Sequence, residues 1–284
     1  MTYVILDLEW NTGYCKKSDS YFNEIIEFGA VRLNEELEVT ETFSTLVQPT
    51  ITRRLNSAVK RLTGLTEPQL RTGMAFTKAF SQFRSFLGDS VLLSWSTSDL
   101  SVLEKNCEYY FGRSKIPSVK RYADLQQYCQ DMLQMNGQNP LSLSAAATLL
   151  SVDFGEKQSH RAVDDCMLAL SCMRRLYLPS AMICYICTVD DDFYAALHSQ
   201  NSQHLSLEDI KQIIRGIHFT CPVCGRRCAR KGRWELKNRG FTADFYCAYC
   251  SQGFTGKATV RHKGELITVV KHIVREDAAA DQPE

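Results

Sequence analysis

The chain has 284 residues, 44% hydrophobic and 23% charged, with a formal net charge of +1. That balance is the one found in soluble globular proteins, and it excludes a disordered, collagen-like or single-sign polyelectrolyte chain. No apolar run approaches the roughly eighteen residues that span a bilayer, and the apolar start is broken at Asp7 with no basic region before it, so neither a membrane anchor nor a signal peptide is expected.

In chain order, Tyr3 to Leu8, Glu24 to Leu33 and Glu41 to Val47 are apolar and β-branched enough to be strands. Asn34-Glu35-Glu36-Leu37 reads as a hairpin connection, so the opening is antiparallel. Phe76, Phe80, Phe83 and Leu87 recur at helical spacing and stop at Gly88, a common helix-end residue. Ser90 to Ser96 reads as a buried strand, followed by a helix from Asp99 to about Phe111. A short strand near Val119 to Leu125, a helix around Leu143 to Leu150 and a longer one from Arg161 to Tyr177 follow. Strands first, then strands alternating with helices, predict an α/β layer with a mixed sheet over residues 1–178. Residues 179–218 read as a helical connector, with a capped helix beginning near Ser206. Cys184 and Cys187 lie in an apolar run and read as a buried pair of thiols. Residues 219–275 form a small cysteine-rich module, and 276–284 a disordered tail.

Charge is unevenly placed. Residues 1–210 hold 19 basic and 25 acidic side chains, whereas 211–275 hold 14 basic and 3 acidic ones. A basic module on a mildly acidic body is expected to approach a polyanion. The chain has twelve cysteines and no export signal, which predicts reduced thiols in the cytoplasm, some of them holding metal.

Asp7 and Glu9 stand two apart on the first strand, so both side chains leave the same face. Carboxylates that close repel each other unless a cation sits between them. Taken alone, they also fit a strand end with both acids hydrated. Asp99 stands at a strand-to-helix junction, where α/β sites collect, although an ordinary helix N-cap fits it equally. His160 precedes the late helix, whose first turn holds Asp164 and Asp165, and acids there also suit the helix dipole.

The combination is more specific than its parts. Asp7-Leu8-Glu9 on the first strand, Trp95 through Asp99 before an apolar helix, and His160 through Asp165 on a late helix occur in that order. Together they resemble the signature of DEDDh 3′–5′ exonucleases over roughly residues 1–178. Leu62-Thr63-Gly64-Leu65-Thr66 resembles a further segment of these enzymes, and the closest branch is the Eri-like one, which includes bacterial sporulation-inhibitor-type members. Trp10-Asn11 and Ser96 depart from the common pattern; many members have small or hydroxyl residues after the first acids and a glycine at the second position.

The resemblance implies a ribonuclease-H-like mixed sheet flanked by helices. It implies two Mg²⁺ or Mn²⁺ ions held by Asp7, Glu9, Asp99 and Asp165, hard cations with oxygen ligands. His160 would then be the general base. Single-stranded RNA or DNA 3′ ends would be the substrate, RNA somewhat favoured, and nucleoside 5′-monophosphates the product. A reading from another class also fits: a regulatory protein that uses the nuclease fold as a binding scaffold. The complete acid set favours the enzyme, since a scaffold has no need of clustered carboxylates.

Cys221 and Cys224 form one C-x-x-C and Cys247 and Cys250 another, 22 residues apart. Four thiolates in two tight turns suit one structural, tetrahedral Zn²⁺, which predicts a zinc ribbon. Cys228 is a fifth thiol nearby, not expected to be a ligand. Between the pairs, Arg226, Arg227, Arg230, Lys231, Arg233 and Trp234 are candidate nucleic-acid contacts, cations for phosphates and an aromatic for bases. Two alternatives stay open: the aromatics could fill a small core, and the ribbon could dock protein.

Overall fold

The structure is a computed structural model and describes residues 1–52, 54–135, 139–153, 161–201, 212–237, 240–263 and 266–274. It divides into two compact units, Met1–Leu197 and His198–Glu284.

The first unit is built on a six-stranded sheet in the order β3-β2-β1-β4-β5-β6. Its strands are Tyr3–Cys15 (β1), Ser20–Leu33 (β2), Val39–Leu46 (β3), Val91–Ser94 (β4), Arg121–Asp124 (β5) and Cys187–Thr188 (β6). β1, β2 and β3 pair antiparallel, β4 and β5 continue parallel to β1, and β6 closes the edge antiparallel. The sheet is mixed, as its element order predicts. β2 and β3 turn through Asn34, whose Oδ1 accepts from the N–H groups of Glu36 and Glu38 at 3.1 and 2.8 Å.

Nine helices are described: Ser57–Thr63 (α1), Glu67–Arg71 (α2), Phe76–Leu87 (α3), Ser98–Phe111 (α4), Leu125–Met132 (α5), Leu143–Leu149 (α6), Ala162–Leu176 (α7), Pro179–Tyr185 (α8) and Asp191–Asn201 (α9). Alternation along β1 divides its apolar residues between two cores. Val4, Leu6 and Leu8 pack with Phe76, Phe80 and Phe83 of α3 and with Leu100 and Leu103 of α4. Tyr3 and Ile5 pack on the other face with Cys166, Leu170 and Met173 of α7. Asp7 and Glu9 continue that second face beyond the apolar residues.

β1 runs past its expected end at Leu8. Thr12, Gly13 and Tyr14 have little apolar content, yet the backbone continues to pair with β2 as far as Cys15↔Ser20. Register shifts between Glu9 and Trp10, leaving Ile26 of β2 unpaired. This β-bulge sends Ile26 into a small core with Leu55, Leu65 and Leu70, beneath the α1–α2 segment.

Two expectations about residues 179–218 change. The segment is not connector throughout, because β6 joins the sheet and Tyr194 and Leu197 of α9 enter the first unit's core. Cys184 and Cys187 are exposed rather than buried. α8 turns Met182 inward and leaves Cys184 on its outer side, while Cys187 lies on the two-residue edge strand. The helix expected from Ser206 is described only at residues 212–215, where it is helical; its earlier part, and the tail from 276, lie outside the described residues.

The second unit is a four-stranded antiparallel sheet in the order β10-β9-β8-β7, from Ala229–Lys237 (β7), Gly240–Cys247 (β8), Gln252–Lys263 (β9) and Leu266–Val274 (β10). Its core is Phe219, Ala243 and Phe245 with three buried cysteines, flanked by Trp234 and Phe254. Such a core is small for independent stability.

Candidate functional site

Asp7, Glu9 and Asp165 come together, with one carboxylate oxygen from each within 4.8 Å of the others. Three elements place them. Asp7 and Glu9 share one face of β1, opposite Gly29 and Glu27 of β2. Asp165 comes from the first turn of α7. That helix can start there because Gly29 has no side chain; a Cβ at Gly29 would lie 2.3 Å from the carbonyl carbon of Ala162.

Asp99 stands beside this group on α4, as its second residue rather than its N-cap, and is not among the three acids whose oxygens lie within 4.8 Å of one another. Its Oδ1 accepts from the Leu8 N–H at 3.0 Å, which ties α4 to the strand between the two acids. The site lies midway along β1, just past the carboxyl end of its parallel neighbour β4, which pairs with Tyr3–Leu6, and crevices in α/β sheets form outside the carboxyl ends of strands.

The electrostatics are those of acids crowded together away from water. Burial pushes the Asp7 carboxyl well above its ordinary range, and Asp99, Glu9 and Asp165 push it further. Glu9 is pushed up to about 8, first by burial and then by Asp165 and Glu27, with Arg161 opposing. Asp99 is pushed up to about 7 by burial, against the hydrogen bond from Leu8. Arg161 forks onto Glu27, with Nη2 to Oε1 at 2.6 Å and Nε to Oε2 at 3.0 Å. The nearby cation is thus engaged by Glu27, and the crowded acids relieve their repulsion by holding protons. Oxygen-only donors of this kind fit a hard divalent cation, which would displace those protons.

A cleft of about 900 Å³ opens over the acids, lined among others by Trp10, Leu62, Trp95, Ser142 and Leu143. Trp95 is fixed by its Nε1–H, which donates to the Leu141 carbonyl at 3.0 Å. Leu62 arrives on α1, whose approach is anchored by the buried Glu24. The Glu24 carboxylate accepts from the N–H groups of Thr50 at 2.6 Å, Ile51 at 3.0 Å and Thr52 at 2.6 Å. Ser96, on the cleft wall, has φ +86°, a backbone region natural to glycine. His160 lies outside the described residues. Sequence reasoning missed Glu27 and Arg161. The signal for Glu27 was there, a charged residue inside the apolar run from Ile25 to Val31.

In the second unit, Cys221, Cys224, Cys247 and Cys250 converge, their sulfurs all within 4.8 Å of one another. Gly225 takes φ +71° and closes the first turn, its N–H donating to the Cys221 carbonyl at 2.9 Å. Backbone N–H groups aim at the sulfurs. Those of Cys250 and Tyr249 pull the Cys247 thiol down to about 6, and those of Cys224 and Val223 lower Cys221. Cys228 stands outside this cluster, its thiol raised to about 11 by burial. Of the candidate contacts, Arg226, Arg230, Lys231 and Arg233 are exposed, whereas Arg227 Nη2 lies 2.6 Å from the His218 ring. Trp234 is half-buried and stacks edge-on against Phe245, so it belongs to the core.

Residues 4–173 match the model of the Exonuclease family. The chain belongs to that family. Over 169 residues it is 28% identical to the probable 3′-5′ exonuclease KapD of Bacillus subtilis, covering 58% of this chain and 80% of that one. It is 31% identical to the DNA polymerase III subunit epsilon of Aquifex aeolicus over 113 residues, 39% of this chain and 52% of that one. The fold resembles the nuclease domain of 3′hExo, a DEDDh family member bound to rAMP, with a TM-score of 0.54 at 20% identity, covering 66% of this chain and 96% of that one. A second neighbour, with TM-score 0.54 and 20% identity, covers 67% of this chain and 91% of its own; it is a 3′-exonuclease that recognises the 3′ end of a histone mRNA stem-loop. The first unit of this exonuclease is therefore the ribonuclease-H-like layer that its sequence resembles. No helix among the described residues is long and apolar enough to cross a membrane.

Proposed function

We propose that this exonuclease hydrolyses single-stranded nucleic acid from its 3′ end, RNA in preference to DNA, and releases nucleoside 5′-monophosphates. The observation that carries the reading is the convergence of Asp7, Glu9 and Asp165 under a cleft wide enough for a nucleotide. The RNA preference draws on the fold neighbours, one bound to rAMP and one that recognises an mRNA.

Asp7, Glu9, Asp99 and Asp165 are the residues that would hold two Mg²⁺ or Mn²⁺ ions. Such ions neutralise the charge on the attacking and leaving oxygens of an in-line displacement. Asp99 anchors its carboxylate through the Leu8 N–H, so its remaining oxygen has a fixed direction. Trp95 and Leu62 supply apolar surface for the terminal base. His160, five residues before Asp165, takes a proton from the attacking water, since an imidazole with pKa near 6.5 accepts one at neutral pH. Cys221, Cys224, Cys247 and Cys250 hold one Zn²⁺ in a closed sulfur shell, which serves structure rather than catalysis. The reduced thiols that this requires fit a cytoplasmic location.

Incubation with 3′- and 5′-labelled RNA and DNA oligonucleotides, with and without Mg²⁺ or Mn²⁺, tests the reading. Mononucleotides appearing first from the 3′ label, lost in Asp7→Asn and slowed about 10²–10⁴-fold in His160→Ala, are expected. Retention of full activity in Asp7→Asn would sink it, and the scaffold reading would take its place.

A further inference from the structure

The second unit distributes its aromatic rings unequally. Phe219, Phe245, Phe254 and Trp234 pack against one another in the core. Two tyrosines do not. Tyr249 stands at the tip of the second cysteine turn and is 67% exposed. The Arg226 guanidinium lies over its ring, 3.8 Å from the centroid. Arg226 directly follows the first cysteine turn, so this stacked pair joins the two turns that bear the thiols. Tyr246 is also exposed, and the Lys231 ammonium lies 5.3 Å from its ring. Cross-strand pairing puts Tyr246, Lys231, Lys257 and His272 on one face of the sheet, the face turned away from the core.

We infer that the Arg226–Tyr249 tip and the Lys231–Tyr246 face bind single-stranded nucleic acid, holding a stretch of strand other than the one that enters the cleft. The inference rests on the reading of the chain as a nuclease of single strands. Each exposed ring is paired with a cation, which is what a stacked base and its phosphate require together. A guanidinium on one face fixes the Tyr249 ring and leaves most of its surface open. Rings offered in this way need unpaired bases, because in a duplex the base faces are already stacked. The excess of 14 basic over 3 acidic residues between 211 and 275 gives the surface the sign a phosphate chain demands. A protein-docking surface would instead present contiguous apolar area, and here Val223 is the exposed aliphatic residue at the tip.

Fluorescence anisotropy with a labelled 24-nucleotide single strand tests this, using the full chain in its Asp7→Asn form with Mg²⁺ and salt varied. Tyr249→Ala should weaken binding roughly five- to a hundredfold, the usual effect of losing one base–aromatic stack, and Tyr249→Phe should restore it. Arg226→Ala should weaken binding and flatten the salt dependence by about one counterion. Lys78→Ala, which removes an exposed cation from α3, should change neither. Bound zinc measured in each variant reports that the module is folded, and Lys231→Ala, on an exposed strand position, serves should Tyr249→Ala lose zinc. Zinc-loaded variants that bind the 24-mer with unchanged affinity and salt slope overturn the inference and leave the tip to a protein partner. Cleavage of a five-nucleotide strand by the unaltered chain tests the nuclease reading by itself, so the two failures are told apart.

Discussion

Arg161 grips Glu27 with two nitrogens, and Glu27 sits directly across the β1–β2 ladder from Glu9. One guanidinium thereby joins the start of α7 to the strand that faces the acid cluster. Lysine keeps the charge but not the planar fork. Arg161→Lys should fold normally and lower turnover by on the order of 10²-fold, the loss expected from about 1 Å of misplacement. Single-turnover cleavage with Mg²⁺ varied measures it. A rate within twofold of the parent would mean that the fork positions nothing.

The acid cluster makes a prediction about pH. Glu9 and Asp99 are raised to about 8 and about 7 in the folded protein, from ordinary values near 4. Between those limits the folded state holds more protons than the unfolded chain, so the stability of the magnesium-free first unit falls as pH rises from about 4 to 8. Divalent cations bind the ionised form and oppose that loss. Melting at pH 6 and pH 8, with and without millimolar Mg²⁺, should show the ion raising the midpoint more at pH 8. Equal shifts at both values would count against a metal site among these carboxylates.

Gly29 is the contact that lets α7 reach the sheet. A methyl group there would meet the backbone of Ala162 at 2.3 Å, and neither the helix nor the strand can give way cheaply. Gly29→Ala should destabilise the first unit by at least about 1–3 kcal/mol, the usual effect of overpacking, and move Asp165 out of the cluster. Urea unfolding gives the first effect and cleavage assays the second.

Ser96 occupies a left-handed backbone position with φ +86°. Side chains other than glycine are strained there by roughly 1 kcal/mol. Its hydroxyl accepts from the Ser98 N–H at 3.2 Å, a weak and exposed contact that returns little. Ser96→Gly should therefore raise the melting temperature of the first unit by a few degrees. A lower melting point would show that the hydroxyl matters more than the backbone.

Zinc should govern the second unit by itself. Its apolar core is small, so a metal held by its four clustered thiols would supply most of its folding energy. Cys247→Ser should abolish zinc uptake and remove the second unit's unfolding transition while that of the first stays in place. A single transition lost as a whole would mean that the two units fold together.

The sequence made the acids and thiols legible because their spacing is local and chemical: D-x-E on a strand, C-x-x-C in a turn. Core-facing strands and the phenylalanine stripe of α3 were legible through their periods. What stayed hidden depended on partners distant in the chain. Thr12-Gly13-Tyr14 looks like a loop until β2 supplies its ladder. Arg161 looks like a helix-start residue until Glu27, 134 positions earlier, receives it. Cys184 and Cys187 looked buried from an apolar neighbourhood, which could not say which side of α8 faces inward. Trp234, a candidate base contact by composition, is a core ring for the same reason, since composition does not tell a core ring from a surface ring.

The fold also sorts the cysteines by how they age. Cys107, Cys129, Cys166 and Cys172 are buried, and burial raises their thiols far enough that they stay protonated and inert, Cys129 to about 12 and Cys172 to about 11. Cys166 lies behind the acids, with its sulfur 3.3 Å from the Gly29 carbonyl oxygen, so the acid cluster is backed by a buried thiol. Cys184 faces solvent on the outer side of α8 and would be the first of these to take up an alkylating reagent, whereas the Cys187 thiol donates to the Tyr122 carbonyl at 3.2 Å and is raised by burial. The four clustered sulfurs of the second unit are different again: a shared metal would shield them, and its loss, by unfolding the module, would open them together with the buried Cys228. Mass spectrometry of the alkylated native protein should therefore step upward by five adducts when zinc is removed, a chemical clock for the state of the second unit.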